Sequence, residues 1–151
     1  MDDISIRLAR RKDVPAIIAL LADDPLGRGR EDTRDPDAYL RAFDDMASQG
    51  GNIALVAERA GEVIGCLQLT MIPGLSRHGM KRGQIEGVRV SAARRGLGIG
   101  ERLIRHAIDL ARTEGCGLVQ LTSDVSRPDA HRFYERLGFV ASHAGFKLTL
   151  D

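Results

Sequence analysis

The chain has 151 residues, the length of one domain at roughly 100–200 residues each, and a domain of this size closes a core without a disulfide or metal staple. Hydrophobic residues make up 43% and charged residues 28%, which excludes a collagen-like, disordered or disulfide-rich chain. Lys and Arg total 22 against 21 Asp and Glu, a net charge of +1, so no overall field draws the protein to nucleic acid. Met1-Asp2-Asp3-Ile4 is acidic, unlike the basic start of a signal peptide, and no apolar run nears the ~20 residues of a membrane span. Cys66 and Cys116 show no CxxC pattern, and His78, His106, His131 and His143 lack metal-ligand spacing. These features predict a cytoplasmic protein with reduced thiols, no metal and no membrane or nucleic-acid partner.

Ile4 to Leu8 alternates with period two and reads as a strand. Asp13 is a helix N-cap, followed by Pro15 and an apolar face of Ile17, Ile18, Leu20 and Leu21. Residues 24–36 are polar, hold two prolines and two glycines, and read as a loop. Asp35 and Pro36 start a second helix with Tyr39, Leu40, Phe43 and Met46 on one face, and Gly50-Gly51 ends it. A hairpin follows, 53–57 and 63–69 around a turn at Ala60-Gly61. Residues 73–83 are a second loop, containing Arg77, His78, Lys81 and Arg82.

Residues 85–90 form a strand, and 98–114 a helix with Leu103, Ile104, Ala107, Ile108 and Ala111 at a 3.6-residue period. Another strand at 118–122 leads to a short helix at 128–137, which Gly138 closes. Two last strands, 139–142 and 146–150, complete the pattern. The order β-α-α-β-β-β-α-β-α-β-β predicts a single α/β domain over 1–151. Its sheet is mixed and mostly antiparallel, with about seven strands and about four helices.

The most informative stretch joins the strand at 85–90 to the long helix: Arg94-Arg95-Gly96-Leu97-Gly98-Ile99-Gly100-Glu101. The first N–H groups of a helix lack intrahelical partners and lie at the positive end of its dipole. Glycines at alternate positions let a phosphate approach them, and the arginines add charge. No Lys follows Gly100, so the nucleotide P-loop is excluded, and the spacing fails the dinucleotide fingerprint. What matches is R-x-x-G-x-G at Arg95 to Gly100. A second landmark, Ala130-His131-Arg132-Phe133-Tyr134-Glu135-Arg136-Leu137-Gly138-Phe139, fits A-x-x-F-Y-E-x-x-G-F.

With both motifs in this order, the sequence resembles the GNAT superfamily of N-acetyltransferases. The segment Arg127 to Tyr134 with Ser142-His143 further resembles its aminoalkylphosphonate acetyltransferases. The sequence departs from many relatives in carrying Arg127 in place of Asn and Gly87 in place of a larger residue. The resemblance implies acetyl-CoA as cosubstrate, held by Val88, Arg89 and Val90 along the pantetheine and by Arg95, Gly96, Leu97, Gly98, Ile99, Gly100 and Glu101 at the pyrophosphate. It also implies a possible homodimer. The acceptor it implies is a primary amine of a small molecule, with a protein or peptide amine as the alternative. A non-catalytic acyl-CoA sensor is the rival outside enzymes.

Acetyl transfer needs an amine that has lost its proton, and an alkylammonium with a pKa near 10.4 holds its proton at pH 7. Glu86 is the candidate base, or alternatively a scaffold carboxylate paired to an arginine. It shares a face with Val88 if the strand is regular, and a bulge near Gly87 changes that. Tyr134 is the candidate acid for the leaving thiolate, or a core aromatic with a backbone partner. His131 lies one turn before Tyr134. Arg127 reaches a substrate anion or the cofactor, or lies on the surface. Arg77 and His78 grip an acidic acceptor or a cofactor phosphate, or are solvated.

Overall fold

The computed structural model describes residues 3–151; Met1 and Asp2, half of the acidic start, lie outside the described residues. The period-two segments form five described strands: β1 (Ile4–Leu8), β2 (Asn52–Arg59), β3 (Glu62–Ile72), β4 (Lys81–Val90) and β5 (Cys116–Leu121). They form one sheet in the order β1-β2-β3-β4-β5. The first four are antiparallel neighbours, and β4 pairs with β5 in parallel. Ala60 and Gly61 both take left-handed φ, 51° and 81°, which suits the twist of the tight β2–β3 turn.

Helices α1 (Val14–Ala22), α2 (Pro36–Gln49), α4 (Ile99–Thr113) and α5 (Pro128–Arg136) follow the expected segments, and a single turn, α3 (Ser76–Gly79), lies between β3 and β4. Longer strands leave the expected 73–83 loop as residues 73–80. The sequence pattern predicts about seven strands, but residues 139–142 and 146–150 form none. A strand needs a neighbour as well as alternation, and Val140, Phe146, Leu148 and Leu150 all stand exposed instead.

The principal core lies between the sheet and α4. Ile99, Leu103, Ile104, Ala107 and Ala111 are each at most 1% exposed and pack over Leu55, Leu67, Leu69 and Ile85. Truncating a residue such as Leu103 to Ala costs about 2–5 kcal/mol at sites of this kind. On the other face, Leu20 of α1 packs against Val56 and Cys66.

One ion network ties the first strand, the first helix and the hairpin. Arg7 Nη1 and Nη2 donate to the two carboxylate oxygens of Asp13 at 2.8 and 3.0 Å, and Arg7 Nε donates to Glu58 Oε2 at 2.9 Å. Asp13, 5% exposed, also accepts from the Arg10 N–H at 2.7 Å. The Arg7 hydrogen bond, opposed by burial and aided by the Arg10 amide, lowers Asp13 to about 2. The charged carboxylate therefore stabilises the fold above the unfolded-state pKa near 4, and that contribution is lost as pH falls from about 4 to about 2. Asp13→Asn is expected to lose roughly 2 kcal/mol at pH 7, a drop of about 4–8 °C in Tm, with the gap to wild type closing below pH 4. Thermal melts of both proteins across pH 2–7 check this.

Candidate functional site

The site is built around the end of a strand pair. β4 and β5 pair from Lys81–Cys116 to Ile85–Leu121, with one register shift after Lys81; β5 ends there, whereas β4 continues to Val90. Beyond that point Glu86 to Val90 keep β3 on one side and have no strand on the other among the described residues. The β3–β4 register jumps between Cys66–Arg89 and Gln68–Glu86, so Gly87 and Val88 together oppose Leu67 in a bulge. Gly87 sits at φ 62°, a conformation that strains residues with a Cβ, which accounts for glycine at this position. The bulge separates Glu86 from Val88. Val88 packs on the α4 core, whereas Glu86 is exposed and its carboxylate forms no ion pair or hydrogen bond among the described residues.

The glycine loop follows β4 directly. Gly96 and Gly98 take φ of 84° and 75°, and a Cβ built on either meets nothing within 4 Å. Gly98 is the N-cap of α4, and the backbone around it is bare to an approaching anion. Gly100 is closer packed: its Cβ would lie 3.4 Å from Phe133, so the start of α4 packs against the middle of α5 here. Arg95 and Leu97 are exposed, Ile99 is buried in the core, and Glu101 pairs with Arg105. The residues expected to hold acetyl-CoA therefore form one continuous run past an open strand edge onto a helix N-terminus, as a thioester carrying a diphosphate requires.

A cavity of about 320 Å³ lies beside this run, lined by Asp24, Pro25, Arg28, Val88, Arg89 and Arg127 among others. Asp24, on the turn after α1, is 5% exposed. Its Oδ1 accepts from the Gly27 N–H, and its Oδ2 lies 2.8 Å from Arg89 Nε and 3.9 Å from Arg127 Nη2. Burial pushes its pKa up, but the Gly27 amide and the charges of Arg89, Arg127 and Arg30 outweigh this and hold it below the ordinary carboxylate range. Asp24 therefore carries its charge at neutral pH and ties α1, β4 and the start of α5 together. A larger depression of about 920 Å³ runs along α1 past Arg7, Asp13 and Glu58, whose charges are already paired in the network described above.

Tyr134 is close enough to this cavity to feel both Arg127 and Arg89. Its ring meets Phe133 and Phe139 edge-on, at centroid distances of 5.1 and 5.8 Å. Burial raises the phenol pKa, and the two arginines only partly offset this, so at neutral pH the hydroxyl keeps its proton. That hydroxyl has no hydrogen-bond partner among the described residues.

The other sequence-marked residues are placed elsewhere or otherwise engaged. His131 Nε2 lies 2.9 Å from Asp124 O and braces the turn before α5. Arg77 and His78 are exposed in α3 with left-handed φ of 55° and 61°. They lie at the far end of β4 from the glycine loop, nine residue steps or about 30 Å along the strand. Burial pushes the Cys66 thiol up to about 12 and also raises Cys116, so both stay protonated. Among the described residues no group of three or more His, Cys, Asp or Glu is placed to hold a metal ion, and no helix is long and apolar enough to cross a membrane.

Comparison with known proteins agrees with this geometry. The family described as Acetyltransferase (GNAT) family matches residues 15–139. A Salmonella typhimurium aminoalkylphosphonate N-acetyltransferase is 39% identical over 95 residues, spanning 63% of this chain and 61% of that enzyme. A Trypanosoma brucei brucei glucosamine 6-phosphate N-acetyltransferase is 30% identical over 98% of this chain and 97% of its own length. A solved structure described as a transcriptional regulator from Bacillus halodurans is 46% identical with a TM-score of 0.94, over 97% of this chain and 99% of that one.

Asp24 and Arg89 form a buried pair, whereas Arg127 is 39% exposed and more distant. Asp24→Asn is therefore expected to cost ~3 kcal/mol and roughly 6–12 °C in Tm at pH 7. Arg127→Ala should cost less than ~1 kcal/mol. Thermal denaturation of the two variants side by side checks the difference.

Proposed function

This chain belongs to the acetyltransferase (GNAT) family, and from that premise we propose that it moves the acetyl group of acetyl-CoA onto the primary amine of a small molecule bearing a phosphate or phosphonate group. The observation that carries the reading is Tyr134: a protonated phenol with no hydrogen-bond partner among the described residues, within reach of the charges of Arg89 and Arg127, which line the cavity at the free edge of β4. Both named relatives act on an amine that also carries a phosphorus oxyanion. Arg28 and Arg127 line the same cavity, and the exposed Arg28 guanidinium has no partner among the described residues. Two guanidinium groups suit that anion in number and geometry.

In this reading Val88 to Val90 offer backbone groups to the pantetheine, and Arg95 with the loop 96–100 receives the diphosphate. Glu86 takes a proton from the acceptor ammonium, which at pH 7 stands ~3 pKa units, or roughly 4–5 kcal/mol, from its reactive form. The free amine then attacks the thioester carbonyl directly, since neither protonated cysteine supplies a nucleophile for a covalent intermediate. A backbone N–H on the open edge of β4 steadies the oxyanion. As the C–S bond breaks Tyr134 gives its proton to the departing sulfur, and the second proton lost by the acceptor nitrogen passes through solvent to restore the phenol.

Thiol release from acetyl-CoA tests the assignment, with aminoalkylphosphonates and amino-sugar phosphates set against the same amines without phosphorus. Tyr134→Phe should lower kcat about tenfold or more, with acetyl-CoA affinity unchanged. Glu86→Gln should lose most near neutral pH and recover at high pH. Arg127→Ala should raise KM for the phosphorylated amines alone. Acetyl-CoA binding with no thiol release from any amine would instead favour a sensor, a reading kept open by the Bacillus halodurans relative.

A further inference from the structure

The face of the sheet that carries Glu86 changes character along its width. Leu69, Ile85 and Val119 belong to the α4 core, so the residues between them in sequence lie on the opposite face. Under α1 that face is apolar, with Val56 and Cys66 against Leu20. Toward β5 it becomes a row of amides and hydroxyls. Asn52 pairs in register with Thr70, Thr70 with Gln84, and Gln84 with Gln120, while Gln68 lies directly opposite Glu86. The row is ordered by its own hydrogen bonds. Gln68 Nε2 and Thr70 Oγ1 donate to Asn52 Oδ1 at 2.9 and 3.2 Å, and Gln120 Nε2 donates to Gln84 Oε1 at 2.7 Å. Each of the three glutamine amides is thereby held at one end only. Gln68 Oε1, Gln84 Nε2 and Gln120 Oε1 have no partner among the described residues, and the side chains that carry them are half-buried.

We propose that this amide row binds hydroxyl groups of the acceptor, which makes the acceptor a hydroxylated amine of the amino-sugar kind and Gln68, Gln84 and Gln120 its specificity-determining residues. The inference rests on the acetyl transfer proposed above. The free groups are an acceptor, a donor and an acceptor, and a hydroxyl both donates and accepts, so successive hydroxyls match them. A phosphate or an ammonium is better served by guanidinium or carboxylate, and those stand elsewhere in the site. The order along β4 supports the assignment. Gln84 precedes Glu86 by two residues, about 7 Å, and Val88 and Arg89 of the arginine-lined cavity follow it. An acceptor whose amine sits at Glu86 therefore meets amides on one side and arginines on the other. Side chains already tied at one end lose little further freedom when a ligand takes the other.

Thiol release from acetyl-CoA is measured with four amines: glucosamine 6-phosphate, glucosamine, 2-aminoethylphosphonate and ethylamine. The hydroxylated member of each pair should be preferred by about tenfold or more in kcat/KM, the order expected of two or three neutral hydrogen bonds. Gln84→Leu combined with Gln120→Leu should raise KM for the hydroxylated amines about tenfold with kcat little changed, and so narrow that preference. Plain amines used as well as hydroxylated ones, or an equal loss on all four amines in the double variant, overturns the proposal. The phosphorus contrast is read separately. A preference for hydroxyls without one for phosphorus keeps the amide row and rejects the phosphorus-bearing acceptor; the reverse rejects the row alone, and no thiol release from any amine rejects both. If the double variant fails to fold, the wild type with coenzyme A decides by nuclear magnetic resonance. The side-chain amide signals of Gln84 and Gln120 should shift with glucosamine 6-phosphate and stay in place with 2-aminoethylphosphonate, and any other pattern overturns the proposal.

Discussion

A parallel strand pair in which one strand ends halfway along the other is the constraint from which the rest of this molecule follows. Backbone donors and acceptors are not left buried without partners. Where β4 runs on beyond Ile85 and β5 has ended at Leu121, the freed edge of β4 must therefore face a slot open to solvent or ligand. The bulge at Gly87 and Val88 re-aims the strand at that point, sending Val88 into the core and leaving Glu86 outside it. Each strand of the pair then runs into a helix, β4 into α4 and β5 into α5. Both helix N-termini consequently lie at the carboxyl ends of the parallel strands, the region where open α/β sheets bind ligands. The contact of Gly100 with Phe133 fixes how closely those two helices approach.

Charge and apolar packing meet at the same place with different consequences. Asp24 and Arg89 are buried and hold the slot's wall together, so their contribution is to geometry. Arg28 and Arg127 reach the cavity with more freedom and supply positive charge to whatever enters. Tyr134 stands between the two regimes. Burial raises its phenol pKa further above neutral, and the arginines moderate that shift without reversing it. A neutral donor held near an anion-attracting wall is suited to a leaving group that gains negative charge as it departs.

What the sequence made legible was local. The R-x-x-G-x-G run, the 3.6-residue pattern of α4 and the F-Y-E segment of α5 each carry their signal within a few residues, and the structure places all three as the pattern requires. The turn at Ala60-Gly61 was equally plain, because two successive left-handed residues leave few candidates. Asp24 was not legible: its meaning lies in Arg89 and Arg127, both distant in sequence, and the only local sign was the turn it forms with Gly27. Arg77 and His78 looked like site residues by composition, yet topology puts them at the opposite end of β4. The pattern at 146–150 predicts a last strand, yet the segment forms none, because a strand needs a neighbour as well as a pattern.

The central claim is that the open edge of β4 and the glycine loop together form the acetyl-CoA site. Amide hydrogen exchange with and without acetyl-CoA tests it most directly, because it reads the backbone groups themselves. The account expects new protection concentrated at residues 88–90 and 96–100, with the far end of β4 at residues 81–85 unchanged. Tight binding of acetyl-CoA that left 88–90 and 96–100 unprotected would contradict it.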